Sequence, residues 1–359
     1  MSLCRSNRRI AIVSYINSHG GSIKMLAWVA NILSVNYDVD FINMSGSLLF
    51  YQLSDNVKQI IIDATRKRRE LANVLRNQRY DLVINFGDHA IYELVFLKFI
   101  YRYKVYVSYR ASTHPHMRPQ DYFRLNVVFA FCDGIVLQTK EIATYFDKGL
   151  THKIKKIIIP NPNVIRNDTI WENRENRRII CIARISMRQK RQDLLLKAMK
   201  TVIKKYPDAR LELYGEGADH YLEKLYQMIN NLQLTNNVFY KGITDDVYKV
   251  LKDSDLQVLC SDYEGIPNAL VEGINVGIPI ITTDFLGGGA RLLLGENSEG
   301  GCIVKRNSDE ELANAILDYF DNREKAVKKT IVAKNNLREN FSEEKVSIMW
   351  RSLVENALI

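Results

Sequence analysis

The stretch DLQVLCSDYEGIPNALVEGINVGIPIITTD (residues 255–284) decides how this chain folds. DLQVLC (255–260) is a nearly continuous apolar run of strand length, as expected of a central strand covered on both faces. SDYEGI is then the loop at its carboxyl end. Pro267 suits the first helical position, where its missing N–H would have been unpaired anyway. The spacing predicts a helix from Asn268 to about Val276, ended by Gly277 and Pro279 before a second strand, IPIITTD (278–284). Strand, helix, strand at this spacing is the unit from which parallel sheets are built.

The same alternation fills the rest of the chain. Before residue 161, strands are predicted at 8–15, 37–43, 81–86, 104–109, 134–138 and 155–160, with helical patterns at 22–33, 57–78 and 118–131. A polar linker with two prolines, PNPNVIRNDTIWENRENR, follows. Strands then return at 178–183, 209–215, 237–242, 255–260, 278–284 and 301–305. Two such series predict an α/β fold of two Rossmann-like, doubly wound parallel-sheet domains facing a deep cleft. The expected boundaries are 1–163 and 164–342, with a last helix at about 343–359 crossing back to the first domain.

At 359 residues the chain is long enough for two cores. No apolar stretch reaches the roughly 18 residues of a membrane span, and MSLCRSNRRIAIVSY carries no signal-type apolar region. Five scattered cysteines make no zinc or redox pair and fit a reducing cytoplasm. The net charge of +9 is uneven: residues 1–160 hold 22 Lys and Arg against 12 Asp and Glu, and the remainder is near neutral. A cluster at Arg66-Lys67-Arg68-Arg69 contributes. A solvated helix face explains any one such run. The whole half could face nucleic acid, an anionic bilayer or a phosphorylated substrate, and no nucleic-acid recognition motif accompanies it.

Ligands of doubly wound sheets gather beyond the carboxyl ends of strands, which is where the candidate residues fall. Glu264 lies on the loop after 255–260, and Glu272 about one turn inside the next helix. Between them, unpaired backbone N–H groups and the positive helix end attract phosphate, while carboxylates accept hydrogen bonds from sugar hydroxyls. Glu272 on an exposed helix face would by itself need no function. Arg184 and Lys190 follow the strand 178–183, where two cations can neutralise a diphosphate. Gly215 and Gly217, Gly287-Gly288-Gly289, and His19-Gly20-Gly21 mark three further strand-end loops. Asp38-Val39-Asp40 imitates a metal-binding motif, but by strand alternation both carboxylates share one strand face, and a solvated strand end accounts for them. His89, His114 and His116 taken singly are ordinary surface or core histidines.

From Arg178 to Asp284 the chain resembles the group 1, retaining glycosyltransferases of the GT-B fold (family four). SDYEGIPNALVEGINVGIPIITTD follows that family's motif of two glutamates with seven residues between them, joined by the Arg184/Lys190 pair, the G-E-G loop and NNVFYKG. In the first half the resemblance is thinner: HGG (19–21), LQTKEIATYF (137–146) and IIPNPNV (158–164). It implies that Arg184 and Lys190 hold a donor diphosphate, Glu264 contacts the transferred sugar and Glu272 the ribose. Gly21, Gly215, Gly217 and backbone groups of Gly265, Ile266 and Asn268 would complete donor binding. Arg110, His114 and His19 are the acceptor or donor-sugar candidates. Ala183 stands where the family usually has glycine, and Gly273 replaces alanine and should loosen its helix by up to about 1 kcal/mol. The implied reaction uses no cofactor and no metal. It moves a hexosyl unit, with UDP-sugar favoured as donor, to a saccharide or polyprenyl-phosphate-linked acceptor. A nucleotide-sugar epimerase of the same fold and a non-catalytic nucleotide-sugar or polyanion binder remain the alternatives.

Overall fold

The computed structural model describes residues 6–15, 21–46, 51–63, 65–110, 117–163, 171–172 and 176–359 (backbone only at 21–24). The chain divides into two compact units, Met1–Pro162 with Glu343–Ile359, and Asn163–Ser342.

In the first unit, seven strands form one parallel sheet. They are β1 (Arg9–Ser14), β2 (Asp38–Asn43), β3 (Val57–Ile61), β4 (Leu82–Phe86), β5 (Lys104–Ser108), β6 (Gly134–Leu137) and β7 (Lys156–Ile158). Their order is β3-β2-β1-β4-β5-β6-β7, with Ile10 beside Val39 on one side and Leu82 on the other. The central strands are mostly apolar because helices cover both faces. Helices α2 (Lys67–Gln78), α3 (Ile91–Tyr101), α4 (Pro119–Phe129) and α5 (Lys140–Thr144) share a core with one face, through Leu71, Leu94, Phe129 and Ile142. Helix α1 (Gly21–Ser34) covers the other.

The sequence predicted helix from residue 57, and the structure corrects this. Val57–Ile61 is the edge strand β3, and helix begins only at Lys67. A turn returns Val57 N to Ser54 O at 2.9 Å, and Asp63 Oδ1 accepts Thr65 N at 2.8 Å. These two turns isolate a short β-branched run, whose preference for extended backbone then prevails.

The second unit holds a six-stranded parallel sheet in the order β10-β9-β8-β11-β12-β13. Its strands are β8 (Arg178–Ile182), β9 (Arg210–Tyr214), β10 (Val238–Gly242), β11 (Leu256–Leu259), β12 (Ile280–Thr283) and β13 (Cys302–Val304). Helices α6 (Gln192–Lys205), α7 (Asp219–Asn231), α8 (Val247–Lys252), α9 (Asn268–Val276), α10 (Gly289–Leu294), α11 (Asp309–Asp321) and α12 (Arg323–Asn340) surround it. This is the Rossmann order, counted outward from β8. Among the described residues, no helix is long and apolar enough to cross a membrane.

Helix α13 (Glu343–Leu358) packs in the first unit beside α1. Its Trp350 is fully buried and stacks on Phe86, with ring centroids 5.8 Å apart at 20°. The Arg110 guanidinium sits 5.4 Å from the Trp350 ring and 5.8 Å from that of Phe86. Trp28 Nε1 donates to Glu343 Oε1 at 2.7 Å at the other end of the helix. Trp350→Ala is therefore expected to cost about 3–5 kcal/mol of stability. Urea unfolding measures it, and a loss below about 1 kcal/mol would show that α13 is not held by this ring.

Candidate functional site

In the second unit the strand order reverses direction at β8 and β11. Loops leaving the carboxyl ends of these neighbouring strands head to opposite sides, which opens the sheet to a ligand there. Arg184 and Lys190 lie on the loop from β8 to α6, and Glu264 on the loop from β11 to α9.

Backbone hydrogen bonds fasten the loops together. Asp262 N donates to Gln189 O at 2.7 Å, Leu286 N to Asp262 O at 3.0 Å, and Glu264 N to Leu286 O at 3.0 Å. The last two extend the sheet pairing past β11 and β12 as a bridge between Tyr263 and Leu286. Arg306 Nη1 lies 3.3 Å from the Asp262 carboxylate. Cys260, whose proton is held well above its ordinary pKa by the neighbouring Cys181 thiol and by burial, faces Lys190 O at 3.2 Å and Arg191 O at 3.1 Å.

On this frame Lys190 Nζ donates to Glu264 Oε1. Ser261 Oγ donates to the same oxygen at 2.7 Å, while Thr283 Oγ1 donates to Ser261 O at 2.6 Å. The Lys190 and Glu264 side chains are only 16% and 10% exposed, so water screens their attraction weakly. Arg184 is exposed, and its Nη2 donates to Gln189 Oε1 at 3.2 Å. Gln189 Nε2 in turn donates to Tyr263 O at 3.2 Å. Gln189 thus ties the first cation to the glutamate loop. Sequence reasoning passed over Gln189, Ser261 and Arg306; the place of Gln189 between two singled-out cations was its one signal.

Three glycines allow the close approach that this frame needs. A Cβ on Gly215, whose φ is +139°, would sit 2.3 Å from Ala183 O. One on Gly289 would lie 2.0 Å from Gly265 O, where the loops before α9 and α10 meet. One on Gly273 would lie 1.7 Å from Gln257 Oε1. Buried Gln257 reaches from β11 to donate to Ala269 O, in the first turn of α9, at 2.7 Å. Gly273 therefore lowers helix propensity and also makes the room that this amide occupies.

Helix α9 runs from Asn268 to Val276, so Pro267 stands extended one position before the helical residue it was expected to fill, and makes no side-chain capping bond. Gly265, Ile266 and Asn268 form the turn into it, and Glu272 is half-buried on its body. Gly217 pairs with Ile185 in a bridge beyond β8 and β9. Elsewhere, Gly21 opens α1. His19 and His114 lie outside the described residues, as do Gly20 and His116. Arg110 points inward in the first unit: Nε donates to Ser108 Oγ and Nη1 to Ile159 O, both at 2.9 Å. Burial pulls its pKa down to about 9, which leaves it charged at neutral pH. Arg291 is engaged twice by the Asp284 carboxylate, at 3.0 and 2.6 Å. The structure corrects the expectation of a solvated strand end: Asp38 is exposed, but Asp40 is buried, accepting from Tyr80 Oη at 2.6 Å and pairing with Arg9 at 3.1 Å, so it serves the fold of the strand. Among the described residues, no three His, Cys, Asp or Glu gather as a metal site would require.

Residues 166–337 match the family described as Glycosyl transferases group 1. The chain is similar to a glycosyltransferase of Haemophilus influenzae, 26% identical over 94% of this chain and 97% of that one. It is also similar to the GalNAc-alpha-(1->4)-GalNAc-alpha-(1->3)-diNAcBac-PP-undecaprenol alpha-1,4-N-acetyl-D-galactosaminyltransferase of Campylobacter jejuni, 23% identical over 96% and 97% of the two chains. The structure of Anabaena HepE in complex with UDP-glucose superposes with a TM-score of 0.83 at 17% identity, over 97% of this chain and 99% of that one. The fold is GT-B.

A double-mutant cycle tests the central pair. Lys190→Met alone leaves a carboxylate buried without its cation and is expected to cost about 3 kcal/mol. Adding Glu264→Gln should return part of this, a coupling of roughly 1–3 kcal/mol by denaturant unfolding. Additive losses would mean that the two side chains act independently.

Proposed function

We propose, from the premise that this chain carries a group 1 glycosyltransferase domain on the GT-B fold, that it transfers a hexosyl or N-acetylhexosaminyl unit from a UDP-sugar with retained anomeric configuration. The acceptor is a saccharide or a polyprenyl-phosphate-linked glycan of cell-surface polymer synthesis. The observation that carries this reading is the convergence of Lys190, Arg184 and Glu264 at the strand reversal, beside the start of α9.

The donor diphosphate is the group that these cations suit. As the bond from the anomeric carbon to the diphosphate oxygen breaks, charge grows on that oxygen and an oxocarbenium-like sugar is left. Arg184, Lys190 and the amino end of α9 stabilise the departing charge, so the reaction needs no metal. Glu264 accepts from hydroxyls of the transferred sugar, and Glu272 from the ribose. The acceptor hydroxyl attacks from the face the diphosphate leaves, forming the new glycosidic bond and passing its proton to the released phosphate oxygen. Two relatives support the donor and acceptor: HepE was solved with UDP-glucose, and the Campylobacter enzyme is named for an alpha-linked product on a PP-undecaprenol carrier. The basic first unit extends the reading to an anionic membrane surface on the cytoplasmic side.

UDP should raise the melting temperature of the protein, and GDP or ADP at equal concentration should not. With a UDP-sugar and a lipid-linked acceptor, product should form with the donor's anomeric configuration. Glu264→Ala should lower turnover by about 100-fold or more while the UDP-induced shift persists. Stabilisation by GDP instead would overturn the choice of donor, and donor binding without any product would favour a non-catalytic binder.

A further inference from the structure

On the helical layer of the first unit, α3 lies between α2 and α4, and its inner side chains Ile91, Leu94, Val95 and Leu97 face the sheet. Its outer side chains are the unusual ones. Tyr92, Phe96, Phe99 and Ile100 are 51%, 67%, 65% and 56% exposed. They recur at helical spacing and so form one stripe along the helix. Phe131, just beyond α4, is 53% exposed and meets the Phe99 ring edge-on at 6.4 Å; Phe123 on α4 is 63% exposed. Single exposed apolar residues are ordinary, but a joined aromatic stripe marks a surface that is covered when the protein works.

Charge identifies what covers it. Residues 65–131 contain twelve Lys and Arg against five Asp and Glu, a net +7. Neighbouring α2 exposes Arg68, Arg69 and Arg76, and Arg102 and Lys104 are exposed just after α3. The one acid on α3, Glu93, is neutralised by Arg68 at 2.8 Å. Lys98 is turned inward to Asp133 and Phe131 O, at 2.8 and 2.9 Å, so the outer stripe itself carries no free charge. An apolar aromatic ridge flanked by cations matches the two layers of an anionic bilayer surface: rings enter the acyl boundary while arginines meet lipid phosphates.

We propose that the outer face of α3, flanked by α2 and the α4 end, docks the first unit onto an anionic lipid bilayer. The proposal rests on the reading above only in its use, bringing the site to a lipid-linked acceptor, and the two are tested apart. The full-length protein is co-sedimented with phosphatidylcholine vesicles with and without phosphatidylglycerol, at low and high salt. It should pellet with the anionic vesicles, less so at high salt, and stay in solution with neutral ones. Phe96→Asp with Phe99→Asp should weaken pelleting roughly ten-fold or more. Arg69→Glu with Arg76→Glu should weaken it and flatten its salt dependence. An unchanged melting temperature and UDP-induced shift in each variant show that the fold and donor site are intact.

A wild-type protein that stays in solution with anionic vesicles overturns the proposal, as does a Phe96/Phe99 variant that binds them undiminished. So does a wild-type dimer that this variant converts to monomer, because a second copy would then be what covers the stripe. Vesicle binding without any response to UDP would leave the docking face standing and remove the donor reading instead.

Discussion

The contact between Lys190 and Glu264 is the constraint around which the second unit's strand ends are arranged. A lysine and a glutamate so little exposed need each other, since either alone would be a charge removed from water without compensation. Holding them together requires the loops after β8 and β11 to be fixed relative to one another. The backbone bond from Asp262 to Gln189 does this, and Ser261 and Thr283 orient the carboxylate. The pair also sets the terms for a ligand. Under the proposed reaction, an incoming diphosphate would compete with Glu264 for the ammonium group, and a carboxylate released from lysine would be free to accept from a sugar hydroxyl. Under the proposed reaction, donor binding exchanges one internal ion pair for two ligand contacts. On that reading the pair keeps the two charges neutralised until the donor arrives.

The same frame explains where backbone had to come close to backbone. Gly215 makes room for the carbonyl of Ala183, and Gly289 for that of Gly265. In both cases the neighbour is main chain, which cannot rotate away as a side chain can. An added Cβ would push apart loops that carry Arg184 or lead into α9. The glycines are thus part of how the charged groups are aligned, although none of them carries charge.

Much of this was legible in the sequence because it is local. The buried strand 255–260, Gly277 and the helix between them follow from periodicity and turn chemistry, and α9 has the expected bounds. What escaped was set by partners distant in sequence. Gln189 meets Tyr263 and Ser261 meets Thr283 only once parallel strands align their ends, and no periodicity announces such meetings. Gly273 read as a weakened helix because Gln257, sixteen residues earlier, was invisible as its neighbour. Val57–Ile61 read as helix because the charged run that follows extends the pattern backward; its extended state depends on pairing with β2. Arg110 stood out as a strand-end cation, while Trp350, which it meets, arrives from the other end of the chain.

Charge is divided between the units in a way that the site alone does not require. The second unit, which carries the residues suited to a diphosphate, comes from the near-neutral part of the sequence. The surplus of cations lies in the first unit, and α2 to α4 hold much of it. Were these cations there only for solubility, they would be expected to surround polar neighbours and to be mixed with acids. Instead they border a ridge of phenylalanines on α3, which lowers solubility in water and improves it at a lipid interface. Under the proposed docking, a surface that offers negative charge above an apolar interior would favour both features at once.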